Sequence, residues 1–138
     1  MKLFLCRILL ITLLPSLSFA QQRPVEEKTA EDVAKKENSY FYKTAVVQGL
    51  NKTTAKTSIL EIKIGQRIQF GKIAIIAHKC WQAPLDQKPE SKILLEVLDV
   101  KSPEEEKRIF YGWMFASSPS ISGLEHPIYD IIALNCKK

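Results

Sequence analysis

Between Thr44 and Cys136, apolar side chains return at every second residue, in short runs broken by turn-forming residues. No other feature constrains the fold as strongly. Period two sends successive side chains to opposite faces of an extended strand, whereas a helix needs a period of 3.6. In Thr57–Ile64, "TSILEIKI", Leu60, Ile62 and Ile64 share one face while Glu61 and Lys63 take the other. Thr44–Leu50 is a strand before it, with Asn51–Lys56 as the turn. Gly65-Gln66 turns into Arg67–Phe70, and Gly71-Lys72 turns into Ile73–Trp81, a run apolar on both faces and therefore expected to be central. Lys92–Val100, Arg108–Phe115 and Ile128–Cys136 complete the set, separated by a proline-punctuated loop at 82–91 and a charged loop at 101–107. About seven short antiparallel strands with almost no helix indicate an all-β domain. Alternation alone serves a small β-sandwich and a small barrel equally.

The strands occupy only part of the chain. Residues 1–20, "MKLFLCRILLITLLPSLSFA", have Lys2 and Arg7 ahead of a short apolar stretch, and Ser18 and Ala20 at the positions a signal peptidase reads. Cleavage after Ala20 is expected. An uncleaved anchor is the alternative, but the apolar stretch is short for a bilayer and Pro15 interrupts it. Residues 21–43 carry five acidic and five basic residues and a thin apolar stripe of Val25, Ala30, Val33 and Ala34. They read as a flexible polar arm with transient helix, leaving 44–138 as one β domain. No later run is apolar enough to span a membrane, so the mature chain is expected to have no span, and the brevity of the leader looks bacterial, which makes the periplasm the expected destination.

Charge narrows the partners. Without residues 1–20 the chain keeps eighteen basic and fifteen acidic residues, a net of +3. Lys52, Lys56, Lys63, Arg67, Lys72 and Lys79 are scattered singly along the strands, so the concentrated basic stripe that nucleic acid requires is absent. No cofactor is expected.

Past residue 20 two cysteines remain, Cys80 and Cys136. An even pair in an exported chain is read first as a disulfide. His78, Cys80, His126 and Cys136 also have the stoichiometry of tetrahedral zinc, but without a C-x-x-C pair, and unpaired thiols are a third possibility. The disulfide is the expectation, and no metal is expected.

The stretch "GWMFASSPSISGLEHP", Gly112–Pro127, holds the remaining chemistry. Ser118-Pro119 suits a helix N-cap and first position, predicting a short helical excursion over about 119–125. Trp113 and Phe115 share one strand face, with Met114 on the other, and are expected as a core-facing aromatic corner. Glu125, His126, Tyr129 and Asp130 form a candidate binding surface at its outer edge. Ser117 or Ser118 with His126 and Asp130 has the residue types of a hydrolytic triad, and Glu125 with Asp130 those of an acid/base pair. No G-x-S-x-G elbow supports the triad, so no residue is assigned a catalytic role.

The same residues carry a resemblance. Gly112–Pro119, Leu124–Pro127, Tyr129-Asp130 and Cys136, together with "LNKTTAKT" and "FGKIAIIAHKCWQAP" upstream, resemble the signature of DUF2155, a secreted family of alphaproteobacteria. The resemblance covers about 45–136. It implies an exported protein of one small domain and carries over no activity. Two functions are expected from the whole reading. One is a non-catalytic periplasmic module that binds or scaffolds an envelope protein or cell-wall component. The alternative is a small periplasmic hydrolase using Ser118, His126 and Asp130, or Glu125.

Overall fold

The computed structural model describes residues 30–38 and 40–138. The expectations for the leader and for residues 21–29 lie outside the described residues. A helix α1, Ala30–Asn38, precedes eight strands: β1 Phe41–Tyr42, β2 Thr44–Asn51, β3 Lys56–Lys63, β4 Arg67–Phe70, β5 Ile73–Gln82, β6 Ser91–Ser102, β7 Glu105–Phe115 and β8 Tyr129–Lys137. They form two antiparallel sheets and no closed barrel. One sheet runs β1-β5-β6-β7, with β4 also paired to β5, and the other runs β3-β2-β8.

Alternation builds the core between the two sheets. Ile93, Leu95 and Val97 of β6 turn inward, as do Ala45 and Val47 of β2, Ile62 of β3, and Ile131 and Ala133 of β8. The doubly apolar β5 is central, with Ile73, Ala74, Ile75, Ala77 and Cys80 all inaccessible to solvent. Cys80 and Cys136 form a disulfide with Cα atoms 5.7 Å apart, and it joins β5 of one sheet to β8 of the other. Both sulfurs are thereby used, and the zinc alternative loses its thiolate ligands.

Four features differ from the sequence reading. β1 is too short to display a period, yet it pairs with β5 through Phe41–Trp81 and Tyr42–Cys80. The charged 101–107 segment is mostly strand, because β6 and β7 continue as a paired ribbon to Ser102–Glu105. Its side chains are polar on both faces, so alternation could not reveal it. The helical excursion is a single 3₁₀ turn, Pro119–Ile121, and the Ser118 side chain caps nothing. Ser122 instead donates its hydroxyl to the Trp113 carbonyl at 2.5 Å, pulling the segment back onto β7 before a second turn forms.

The fourth difference is a correction of the aromatic corner. Met114, not Trp113 or Phe115, is the buried residue of this strand, at 2% exposure. It pairs with Ile93, which faces the core, so register places Trp113 and Phe115 on the opposite face of the sheet, where both are half-buried.

Candidate binding groove

That outer face carries a row of side chains running across four strands. Phe41 of β1 lies opposite Trp81 of β5, Trp81 opposite Lys92 of β6, and Lys92 opposite Phe115 of β7. Trp113 lies two residues from Phe115, opposite Leu94. The Lys92 ammonium stands 4.5 Å from the Trp81 ring centroid and 5.9 Å from that of Phe115. Its aliphatic stem fits the apolar floor, and its charge is drawn to the ring faces. These residues line a groove of about 820 Å³, walled on one side by Asp32, Val33, Lys36 and Glu37 of α1 and on another by Pro84 and Gln87.

The wall formed by α1 covers little. Every side chain from Ala30 to Glu37 is exposed, and Val33 keeps about half of its surface in water at 51%. Nine residues are too few for a helix to persist on propensity alone. In the loop that supplies Pro84 and Gln87, Leu85 is wholly exposed. Two of the large apolar side chains left in water, Val33 and Phe41, line this groove.

The 82–91 loop is anchored by polar contacts. Glu90 accepts hydrogen bonds from the Ser117 amide (3.1 Å) and hydroxyl and from the Ser91 amide (2.9 Å). Ser91 donates to Gln82, which also accepts the Cys136 amide at 3.3 Å. Partial burial of the Glu90 carboxylate opposes ionisation, but the Ser117 hydroxyl, the two amides and the Lys92 charge outweigh it, and its pKa falls below the ordinary value. A carboxylate whose pKa is depressed by folding stabilises the fold above its unfolded pKa, and the effect is lost as pH falls through the folded value. Acidification from about pH 6 to about pH 3 should therefore loosen this loop in the wild type. Glu90→Gln should flatten that part of the pH profile, with Tm shifts of at most a few degrees because the group is largely solvated. Thermal melts across pH test it. A profile unchanged by the substitution would show that the contacts do not depend on the charge.

The residues picked out from sequence are placed differently. Tyr129, expected on a surface, is buried at 6% exposure. Its hydroxyl accepts the Lys72 amide at 3.1 Å, and its ring meets Phe70 edge-on. His126 is half-buried and stacks on Tyr129 with centroids 5.2 Å apart. Its Nδ1 accepts the amides of Ile128 and Tyr129, each at 3.1 Å, closing the turn around Pro127. Asp130 accepts the Ile131 amide. Of the four, Glu125 alone is exposed.

This arrangement does not assemble a triad. A triad histidine donates Nδ1–H to a carboxylate, whereas Nδ1 of His126 is an acceptor here. Ser117 bonds Glu90 instead. His78 meets Glu96 at 2.8 Å, and among the described residues no cluster of three or more His, Cys, Asp and Glu residues is placed to hold a metal.

The groove residues Phe41, Trp81, Lys92 and Gln87 were not singled out from sequence. Each lies on a different segment, and only strand pairing sets three of them in line. One signal was available: Lys92 directly precedes Ile93 at the start of an alternating strand, so with Ile93, Leu95 and Val97 facing the core its side chain had to face away from it.

Fold and groove together define a small two-sheet β domain with an aromatic surface site. Residues 45–136 match the family described as "Uncharacterized protein conserved in bacteria (DUF2155)", and the chain belongs to that family. It is similar to "Uncharacterized protein RP359" of Rickettsia prowazekii (strain Madrid E), 36% identical over 95 residues. That match takes in 69% of this chain and 61% of the length of the relative, which accords with an alphaproteobacterial family. No solved structure matches the chain significantly.

Proposed function

We propose that the chain is an exported, non-catalytic module of the bacterial envelope, carried to the periplasm by a cleaved leader at 1–20, that binds or scaffolds a partner through the aromatic groove. One observation carries this reading. Both tryptophans, with Phe41 and Phe115, face outward beside exposed Val33 rather than filling the core. Contiguous apolar surface of this kind marks interaction sites, and Trp is among the residues that contribute most to binding when a partner covers it. The engagement of His126 and Ser117 in holding turns supports a role without catalysis. Among the described residues no helix is long and apolar enough to cross a membrane.

A photo-crosslinking amino acid placed at Gln87, on the groove wall, should capture a partner in cells. The same group at Glu125 should capture none. Capture from position 125 alone would move the site to the 125–130 turn.

A further inference from the structure

An open sheet edge can pair with another chain unless it is short, charged or capped, and most edges of this domain are defended in one of these ways. Lys52 donates to the Ile128 carbonyl, so Asp130 and Ile132 bond β2 while the amides of Tyr129 and Ile131 point away from it. His126 accepts the first of these amides and Asp130 the second, and past the bulge Gln82 accepts that of Cys136. The free side of β7 is closed by the segment that follows it. The Ser122 hydroxyl donates to the Trp113 carbonyl, and the Ser118 amide to the Phe115 carbonyl. The other end of β7 carries Glu105, Glu106, Lys107 and Arg108. β1 and β4 are only two and four residues long.

β3 is the exception. It is eight residues long and pairs with β2 alone. Ile64 donates to the Lys43 carbonyl, so Ile62, Leu60 and Ser58 exchange bonds with β2, and the amides and carbonyls of Thr57, Ile59 and Glu61 face outward. Among the described residues nothing hydrogen-bonds these outward groups, and all three residues are exposed. Thr57–Leu60 carries no charge, Lys56 and Lys63 stand at the two ends, and Glu61 already pairs with Lys137. Ile59, in the middle, leaves 59% of its surface in water.

We propose that a second copy of this chain adds at this edge, β3 against β3 and antiparallel, about a two-fold axis at Ile59. Only residues with outward groups can exchange bonds across the axis, so Ile59 meets Thr57, Ile59, Glu61 or Lys63 of the other copy. Pairing with Glu61 or Lys63 sets an apolar side chain against a charge, and the Lys63 register also sets Glu61 against Glu61. Pairing with Thr57 leaves Glu61 opposite the turn. Ile59 against Ile59 covers both exposed side chains, places each Thr57 hydroxyl opposite a Glu61 carboxylate, and opposes no like charges. The two three-stranded sheets then become one continuous sheet. The groove lies on the other sheet, so the inference does not depend on it, and the dimer would carry two grooves and bind a multivalent partner with avidity.

Sedimentation velocity of the purified protein over a range of concentrations tests this, and a reversible dimer is expected. Ile59→Pro removes an outward amide and leaves the β2–β3 ladder whole, so the fold should survive. The dimer should weaken about tenfold or more, because the two-fold axis doubles the lost bond. Ile59→Lys keeps the backbone and sets like charges opposite each other, with the same expected loss. Mild oxidation of Ile59→Cys should yield a disulfide-linked dimer, since bonded antiparallel pairs hold their Cα atoms about 5.5 Å apart. Glu61→Cys, opposite Thr57 of the other copy, should yield little. The amides of Thr57, Ile59 and Glu61 should gain hydrogen-exchange protection as the dimer forms. A monomer at every concentration, a dimer indifferent to both Ile59→Pro and Ile59→Lys, equal crosslinking from positions 59 and 61, or an edge that accepts only an extended segment of another protein would each overturn the inference.

Discussion

The Cys80→Ser/Cys136→Ser double variant should lose about 4 kcal/mol of stability, with Tm falling by on the order of 20 °C. The size follows from the loop. The bond closes a separation of 56 residues, and the chain entropy it removes from the unfolded state corresponds to about 4 kcal/mol on the loop-closure model. For a domain of this size that is a large part of the whole. Its position adds a second reason, because the bond connects β5 to β8 and so couples two sheets that share no strand. Denaturant unfolding of oxidised, reduced and double-serine protein measures it. Reduced wild type should match the double variant, and a loss under about 1 kcal/mol would show that core packing alone holds the sheets together.

Gly71→Ala should be the most damaging single glycine substitution, costing about 3–4 kcal/mol. Gly71 has φ +59, where a Cβ is strained, and that Cβ would lie 2.3 Å from the Tyr129 hydroxyl oxygen and 2.5 Å from Cζ. The buried ring would have to move, giving up its hydrogen bond from the Lys72 amide and its contacts with Phe70 and His126. Gly65→Ala separates the two contributions. Gly65 also has positive φ, +83, but a Cβ there meets nothing within 4 Å, so only the backbone cost of about 1 kcal/mol should remain. Equal losses at the two positions would show that the Tyr129 contact matters little.

Tyr129 also shows where sequence reasoning stops. Its position just beyond the Glu-His-Pro turn suggested a surface, but Gly71, far away in the chain, leaves the gap its ring fills. The seven main strands were legible because alternation and glycine turns are local signals, and β5 betrayed its central place by being apolar on both faces. Which face of β7 points inward was not legible. Alternation separates Met114 from Trp113 and Phe115 without saying which side is buried, and the larger aromatic pair drew the core assignment. The pairing of Met114 with Ile93 decides it the other way. The groove was hidden for the same reason, since Phe41, Trp81, Lys92 and Phe115 become neighbours only through three strand pairings.

That correction changes what Trp113 can test. A core tryptophan could not be removed without losing the fold, at about 3–5 kcal/mol. A half-buried tryptophan on an outer face can be removed with the core intact. The most direct measurement is therefore crosslinked capture from position 87 in otherwise wild-type protein and in Trp113→Ser, with melting followed in parallel. The account predicts that the Trp113→Ser protein stays folded, with Tm lowered by only a few degrees, and loses the partner. A folded Trp113→Ser protein that captures the partner as fully as wild type would contradict it.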